Sequence, residues 1–295
     1  MATLTVNQRE LTMTNLDREL WPDDGLLKHD LIRYYIETAP FLLPHLRRRP
    51  LVVQRFPEGI ERPGFYQKSV PAGAPPWLQT CPVRHSEGKV TDYIVAGSME
   101  TLAWLGNHSC LELHPWLSSV NSLDSPDYVV FDLDPMERTN FSHICIIAVA
   151  IKKLLKEINL QAYPKLSGAT GLQIYLPVVP RYSYRQARDF AENICRCVHR
   201  IYPEITTLER KIERRGGKLY LDYLQNGRGK TLAAPYSPRP LPGAPVSLPL
   251  TWTEVAGEAV RPGDFTIKNI AGRLRRQGDL FAPVLDNKQV LPPAR

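Results

Sequence analysis

Apolar and polar positions recur along this chain with two periods, two and about 3.6, and the change between them marks out its elements. Leu4, Val6, Leu11 and Met13 alternate with polar neighbours, so residues 3–14 are expected to form a hairpin. Leu31, Tyr34 and Tyr35 share one helical stripe between Lys28 and Thr38, and Leu51 to Phe56 reads as a strand. Residues 71–90 are rich in Pro, Gly and charge and are expected to be a long surface loop. A short helix runs from Ser98, its expected N-cap, to Asn107, and Cys110 to His114 is a strand. The apolar run Ile144 to Ile151 lies within a helix expected at 141–158, and Ser183 with Gln186 matches a capping box for a helix ending near Tyr202. Residues 266–276 also read as helical, whereas Pro235 to Pro249 carries too much proline for regular structure and is expected to wrap a surface. Strands and helices mix without regular alternation, which predicts an α+β fold over a doubly wound one.

The candidate chemistry sits on the strand Tyr128 to Asp134, which Pro135 ends. Phe131 and Leu133 point to the core, so Asp132 and Asp134 share the opposite face. Two acids there repel each other unless a cation intervenes, and a divalent metal is the obvious candidate. A second strand-like run, Lys218 to Leu224, carries Asp222 on the face opposite Leu219, Leu221 and Tyr223. Between them, Lys165 to Pro177 reads as strand, turn, strand, with Ser167, Gly168, Thr170 and Gly171 in the turn. Three carboxylates can hold two cations about 3.5–4 Å apart for in-line phosphoryl transfer. The turn's amides and hydroxyls suit phosphate oxygens. Asn226 to Lys230 adds a basic turn.

Size and charge narrow the partner. At 295 residues and 43% hydrophobic content, the chain has ample core for one large domain or two closely joined lobes. Its net charge of +7 favours a polyanion. The five cysteines have no paired Cys-x-x-Cys spacing, which argues against zinc or disulfide roles and fits a reducing cytoplasm. The eight-residue apolar run from Ile144 is too short to span a membrane, and the polar N-terminus lacks a signal-peptide layout.

Several motifs together then resemble a known family. They are Asn15-x-x-Arg-Glu-Leu-Trp-Pro22 with the run Gly25 to Tyr35, and Arg55-Phe-Pro-x-Gly59 with Gly64-Phe-Tyr-Gln-Lys68. Leu113-His-Pro-Trp116, Phe131-Asp-Leu-Asp-Pro135 and Ser167-Gly-x-x-Gly171 follow, then Asp222 to Thr231 and Ala234-Pro-Tyr-Ser-x-Arg-Pro240. In this order they are similar to the polymerase domain of bacterial ligase D, of the archaeo-eukaryotic primase superfamily. The resemblance covers about residues 10–275 and implies a primase-like catalytic core with mixed and antiparallel sheets flanked by helices. It suggests a single primase-polymerase domain over 1–295, with an N-terminal lobe, 1–115, packed on a core of 116–295.

The resemblance also implies roles. Asp132, Asp134 and Asp222 would bind two Mn²⁺ or Mg²⁺ ions and carry catalysis. His114, Ser167, Gly168, Thr170 and Arg239 would contact the incoming nucleoside triphosphate. Phe65 and Tyr66 would lie against base and template, Lys28 would recognise a downstream 5′-phosphate, and Lys68 and Arg215 would contact DNA. The activity implied is DNA-dependent primer extension with ribo- or deoxyribonucleotides, filling gaps at double-strand breaks beside a Ku-like end binder and a DNA ligase, in the cytoplasm at the nucleoid. A two-metal nuclease uses the same carboxylates, and an end-bridging module with weak catalysis is a further alternative. Many relatives carry Lys or Arg at the position of Thr170 and His at that of Gln173. Neutral donors in their place predict weaker contact with a triphosphate.

Overall fold

Alternating strands and striped helices fold into two compact units in the computed structural model, which describes residues 1–85 and 87–293. Ser86, inside the expected 71–90 loop, and the last two residues of the expected 1–295 domain lie outside the described residues. The first unit comprises Met1–Trp116, Thr231–Ser247 and Phe265–Gly278. The second comprises Leu117–Lys230, Leu248–Asp264 and the chain from Asp279 onward.

In the first unit, β1 (Ala2–Val6) and β2 (Arg9–Met13) form the expected hairpin with Leu4 opposite Leu11. Its inner residues Val6, Leu11 and Met13 cluster with Ile32 and Ala103. β3 (Glu19–Trp21) pairs with β4 (Leu26–Leu27), which leads into α1 (Lys28–Leu46). The helix runs eight residues past the expected end, through Pro40 and Pro44. The apolar stripe continues in Ala39, Leu42 and Leu46, so burial outweighs the backbone bonds that the prolines remove.

β5 (Leu51–Arg55) pairs antiparallel with β6 (Phe65–Gln67). The expected 71–90 loop instead contains β7 (Thr80–Arg84), which forms a hairpin with β8 (Val90–Ile94). Cys81 and Val83 point inward there between exposed neighbours, an alternation hidden by the surrounding Pro and Gly. α2 (Met99–Asn107) is capped by Ser98, whose hydroxyl accepts from the Thr101 amide. β9 (Cys110–Pro115) then pairs along the length of β5.

In the second unit, β10 (Tyr128–Asp134) is followed by α3 (Phe141–Glu157), β11 (Tyr163–Leu166), β12 (Leu172–Pro177) and α4 (Tyr184–Ile201). β13 (Thr206–Thr207), β14 (Leu219–Asp222), β15 (Leu248–Pro249) and α5 (Trp252–Ala256) complete the order. The sheet runs β13-β14-β10-β12-β11-β15, antiparallel except for β13 beside β14. α4 packs against β10 and α3 against β12. α6 (Ile270–Gln277) belongs to the first unit and α7 (Pro283–Asp286) to the second. Among the described residues no helix is long and apolar enough to cross a membrane.

Two segments differ from expectation in burial. The proline-rich stretch does not wrap a surface: Tyr236, Ser237 and Val246 are buried, and the Ser237 hydroxyl accepts from the Leu113 amide at 2.9 Å. Its prolines lack the donors that a buried irregular segment would otherwise have to satisfy.

The basic turn begins with a buried Asn226, whose side chain accepts from Val130 N–H at 2.8 Å and donates to Val130 C=O at 2.7 Å. β14 pairs with β10 only at residues 132–134, and the Asn226 amide continues that ladder where β14 has ended. Asn226→Ala removes both bonds to the strand that carries the acids and is expected to cost about 2–4 kcal/mol in a urea titration.

Candidate active site

The acids converge because of register. β10 and β14 run antiparallel with Asp132 directly opposite Asp222. Asp134 lies two positions on, on the same face. Directly opposed residues hold their Cβ atoms about 4.5–5.5 Å apart, so the three carboxyls share one small patch. On the other side of β10, Gln173 is the partner of Asp132. Burial, then the charges of Asp134 and Asp222, push the Asp132 carboxyl well above the usual carboxylate range, against a hydrogen bond from Gln173 and the charge of Lys165. Asp134 is pushed up to about 6 by burial and by Asp222, with Arg215 opposing.

The Asp222 Oδ1 accepts from the Leu224 amide at 2.9 Å and from the Tyr220 hydroxyl at 3.2 Å. Among the described residues no group of three or more His, Cys, Asp or Glu side chains stands in a metal-holding arrangement. The donor set nonetheless fits a hard divalent ion. It is all carboxylate oxygen, and its mutual repulsion is the excess negative charge that such an ion relieves.

The glycine turn abuts this patch. A Cβ on Gly171 would stand 2.5 Å from the Leu133 carbonyl and 3.7 Å from Asp134 Oδ1, so only glycine lets the turn approach β10 this closely. Gly168 sits at φ +82°, in the left-handed region. The Ser167 Oγ accepts from the amides of Ala169 at 3.2 Å and Gly171 at 3.1 Å. Those two amides therefore turn inward onto Ser167, not outward as the sequence suggested, while the Thr170 side chain is exposed. Arg215 lies over the Tyr220 ring, 3.8 Å from its centroid, and its charge is felt by Asp134.

A second cluster is built within the first unit. On β9, Glu112 and His114 are two apart and share a face. The buried Glu112 carboxylate bonds His114 Nε2 at 2.6 Å and accepts from Arg239 Nε. Burial pushes this carboxyl upward, but the His114 hydrogen bond and the Arg239 charge together hold it below its usual range. The exposed Tyr66 meets His114 edge to face, with centroids 5.9 Å apart.

Phe65 is also exposed, under the Arg55 guanidinium. Lys28 is not a solvated helix-start lysine: it is 5% exposed and donates to the Asn107 carbonyl at 2.8 Å. Burial, then the charges of Arg18 and Arg55, lower its pKa. Lys68 is exposed.

Sequence reasoning missed Glu112, Arg18, Arg55, and Lys165 behind Gln173. Of these, Glu112 carried a usable signal, two positions before His114 on one strand face.

The second unit thus presents an acid-bearing antiparallel sheet with a Ser-Gly turn against it. Residues 27–281 match the family described as LigD, primase-polymerase domain, and the chain belongs to that family. The Bifunctional non-homologous end joining protein LigD of Bacillus subtilis is 37% identical over 284 residues, 96% of this chain and 45% of that protein. The Multifunctional non-homologous end joining protein LigD of Mycolicibacterium smegmatis is 33% identical over 274 residues, 92% of this chain and 36% of that protein. This chain thus spans less than half the length of these relatives. The polymerase domain of Mycobacterium tuberculosis ligase D, solved in complex with DNA, superposes with a TM-score of 0.87 at 30% identity. That match covers 95% of this chain and 99% of the other. The fold is therefore the α+β primase-polymerase fold, and the family is one of nucleotidyltransferases, enzymes that depend on divalent metal ions.

Raised carboxyl pKa values make the metal-free protein sensitive to pH. An acid whose pKa is higher folded than unfolded binds protons more tightly when folded, so stability falls as pH rises from the unfolded value near 3.8 to about 6. With chelator present, unfolding free energy is expected to drop across that window. Asp134→Asn should flatten the drop and gain about 1–3 kcal/mol at pH 7, read by urea denaturation at a series of pH values.

Proposed function

We propose that this chain is a DNA-dependent primase-polymerase that extends a primer 3′-hydroxyl with nucleoside triphosphates and fills gaps at double-strand breaks. The observation that carries this reading is the direct cross-strand pairing of Asp132 with Asp222, with Asp134 on the same face, in a chain of this family.

Asp132, Asp134 and Asp222 would hold two Mn²⁺ or Mg²⁺ ions. Such ions lower the pKa of the attacking hydroxyl and neutralise the charge of the triphosphate and its leaving pyrophosphate. Ser167, Gly168 and Thr170 would contact the triphosphate, and His114 and Arg239 form the nucleotide-contact cluster proposed for the first unit. Phe65 and Tyr66 offer exposed faces for bases to stack on. Lys28, supported by the neighbouring charges of Arg18 and Arg55, receives a 5′-phosphate at a gap or broken end, and Lys68 and Arg215 contact the DNA backbone. Most of the rate enhancement comes from positioning and charge neutralisation. The partners are DNA ends, a Ku-like end binder and a DNA ligase, and the place of action is the cytoplasm, at the nucleoid.

Primer extension on a gapped duplex with a 5′-phosphate tests the proposal. Labelled primers are expected to lengthen with nucleotide and Mn²⁺, and Asp132→Ala to lose about a thousandfold or more in rate. Strand shortening independent of nucleotide would indicate a nuclease instead, and full activity in Asp132→Ala would remove the metal site from the mechanism. Glu112 is expected to position His114 and Arg239. Glu112→Gln should raise KM for the nucleotide about tenfold with kcat changed far less, measured under steady-state conditions.

A further inference from the structure

Behind the three acids lies a cation that neither the motifs nor the proposed chemistry uses. Lys165 on β11 pairs with Gln173 on β12, Gln173 pairs with Asp132 on β10, and Asp132 pairs with Asp222 on β14. These four residues form a single row across four neighbouring strands. Lys165 is 0% exposed, and Gln173 is almost as deeply buried. The Lys165 ammonium donates to Gln173 Oε1 at 2.6 Å and lies 5.7 Å from the Tyr175 ring centroid. Gln173 stands directly opposite Asp132 in the register of β12 and β10.

Donor and acceptor logic orders the row. An ammonium only donates and an ionised carboxylate only accepts. The Gln173 amide does both, so Lys165 at its oxygen leaves its NH₂ group to face Asp132. Burying a lysine is costly unless its charge is used. Here the use is close by, since three carboxylates crowd one face and Asp132 feels the Lys165 charge.

We propose that Lys165, linked through Gln173, is a resident counter-charge of the carboxylate patch that holds the metal-free site together and keeps its affinity for divalent cations low. This rests on the reading of the three acids as the metal site. The sign follows from charge. A fixed positive charge opposes an incoming divalent ion with twice the energy it would cost a monovalent one. Deleting it therefore destabilises the empty patch and tightens metal binding. A site held weak in this way fills together with its triphosphate, which brings negative charge of its own.

The experiment is a Mn²⁺ titration of the purified chain without nucleotide, following free Mn²⁺ by electron paramagnetic resonance, with thermal melting in chelator and in Mn²⁺. Lys165→Met keeps the stem and removes the charge; Lys165→Gln, which can still bond Gln173, is the second variant should the first fail to fold. The expected result is a Kd about three- to tenfold lower than wild type. The variant should also show a lower Tm in chelator and a larger rise in Tm on adding Mn²⁺. Structural damage loosens metal binding, so it cannot mimic tightening. An unchanged or higher Kd overturns the proposal while leaving the metal site intact. Equally poor Mn²⁺ binding by wild type and Asp132→Ala overturns the metal site and, with it, the counter-charge.

Discussion

Everything at the acid patch depends on one register, the antiparallel pairing that sets Asp132 opposite Asp222. Like charges directly opposed across a ladder destabilise it. The strand tolerates them because its other face is anchored: Phe131 and Leu133 are fully buried. The Asn226 amide grips β10 where β14 stops, and β12 covers the opposite edge. A slip of one residue would turn both acids of β10 into the core and the two apolar side chains out. The hydrophobic pattern thus enforces the arrangement that electrostatics resists, and the raised pKa values of Asp132 and Asp134 record the tension.

The two units use a similar device within their own cores. In the first, a buried acceptor, Glu112, holds two cationic or polar donors, His114 and Arg239. In the second, a buried amide, Gln173, stands between a donor, Lys165, and an acceptor, Asp132. In both, a group set behind the proposed contact residues fixes their orientation. Low dielectric strengthens each link and makes an unmatched member costly. At position 173 this chain has a side chain that can both donate and accept without taking up a proton.

Much of this architecture was legible in the chain. The hairpin at 3–14, the caps at Ser98 and Ser183, the strand ending at Pro135 and the turn at Ser167 all carry local signatures, and each appears where expected. What was misread has a common cause. The strands at 80–94, the far end of α1 and the buried 235–249 segment are rich in proline or flanked by it, and local propensity marks them as breaks. Packing overrides that mark wherever apolar side chains on one face find a core.

The sequence by itself determined that Asp132 and Asp134 share one strand face, through strand alternation, and to which family the chain belongs, through its ordered motifs. Only the tertiary structure decided that Asp222 faces Asp132, that Glu112 joins His114 to Arg239, and that Lys165 stands behind Gln173. The reason is physical. Alternation and capping act over a few residues along the chain, whereas strand register and buried hydrogen bonds join residues far apart in sequence. They are settled only when the whole core closes.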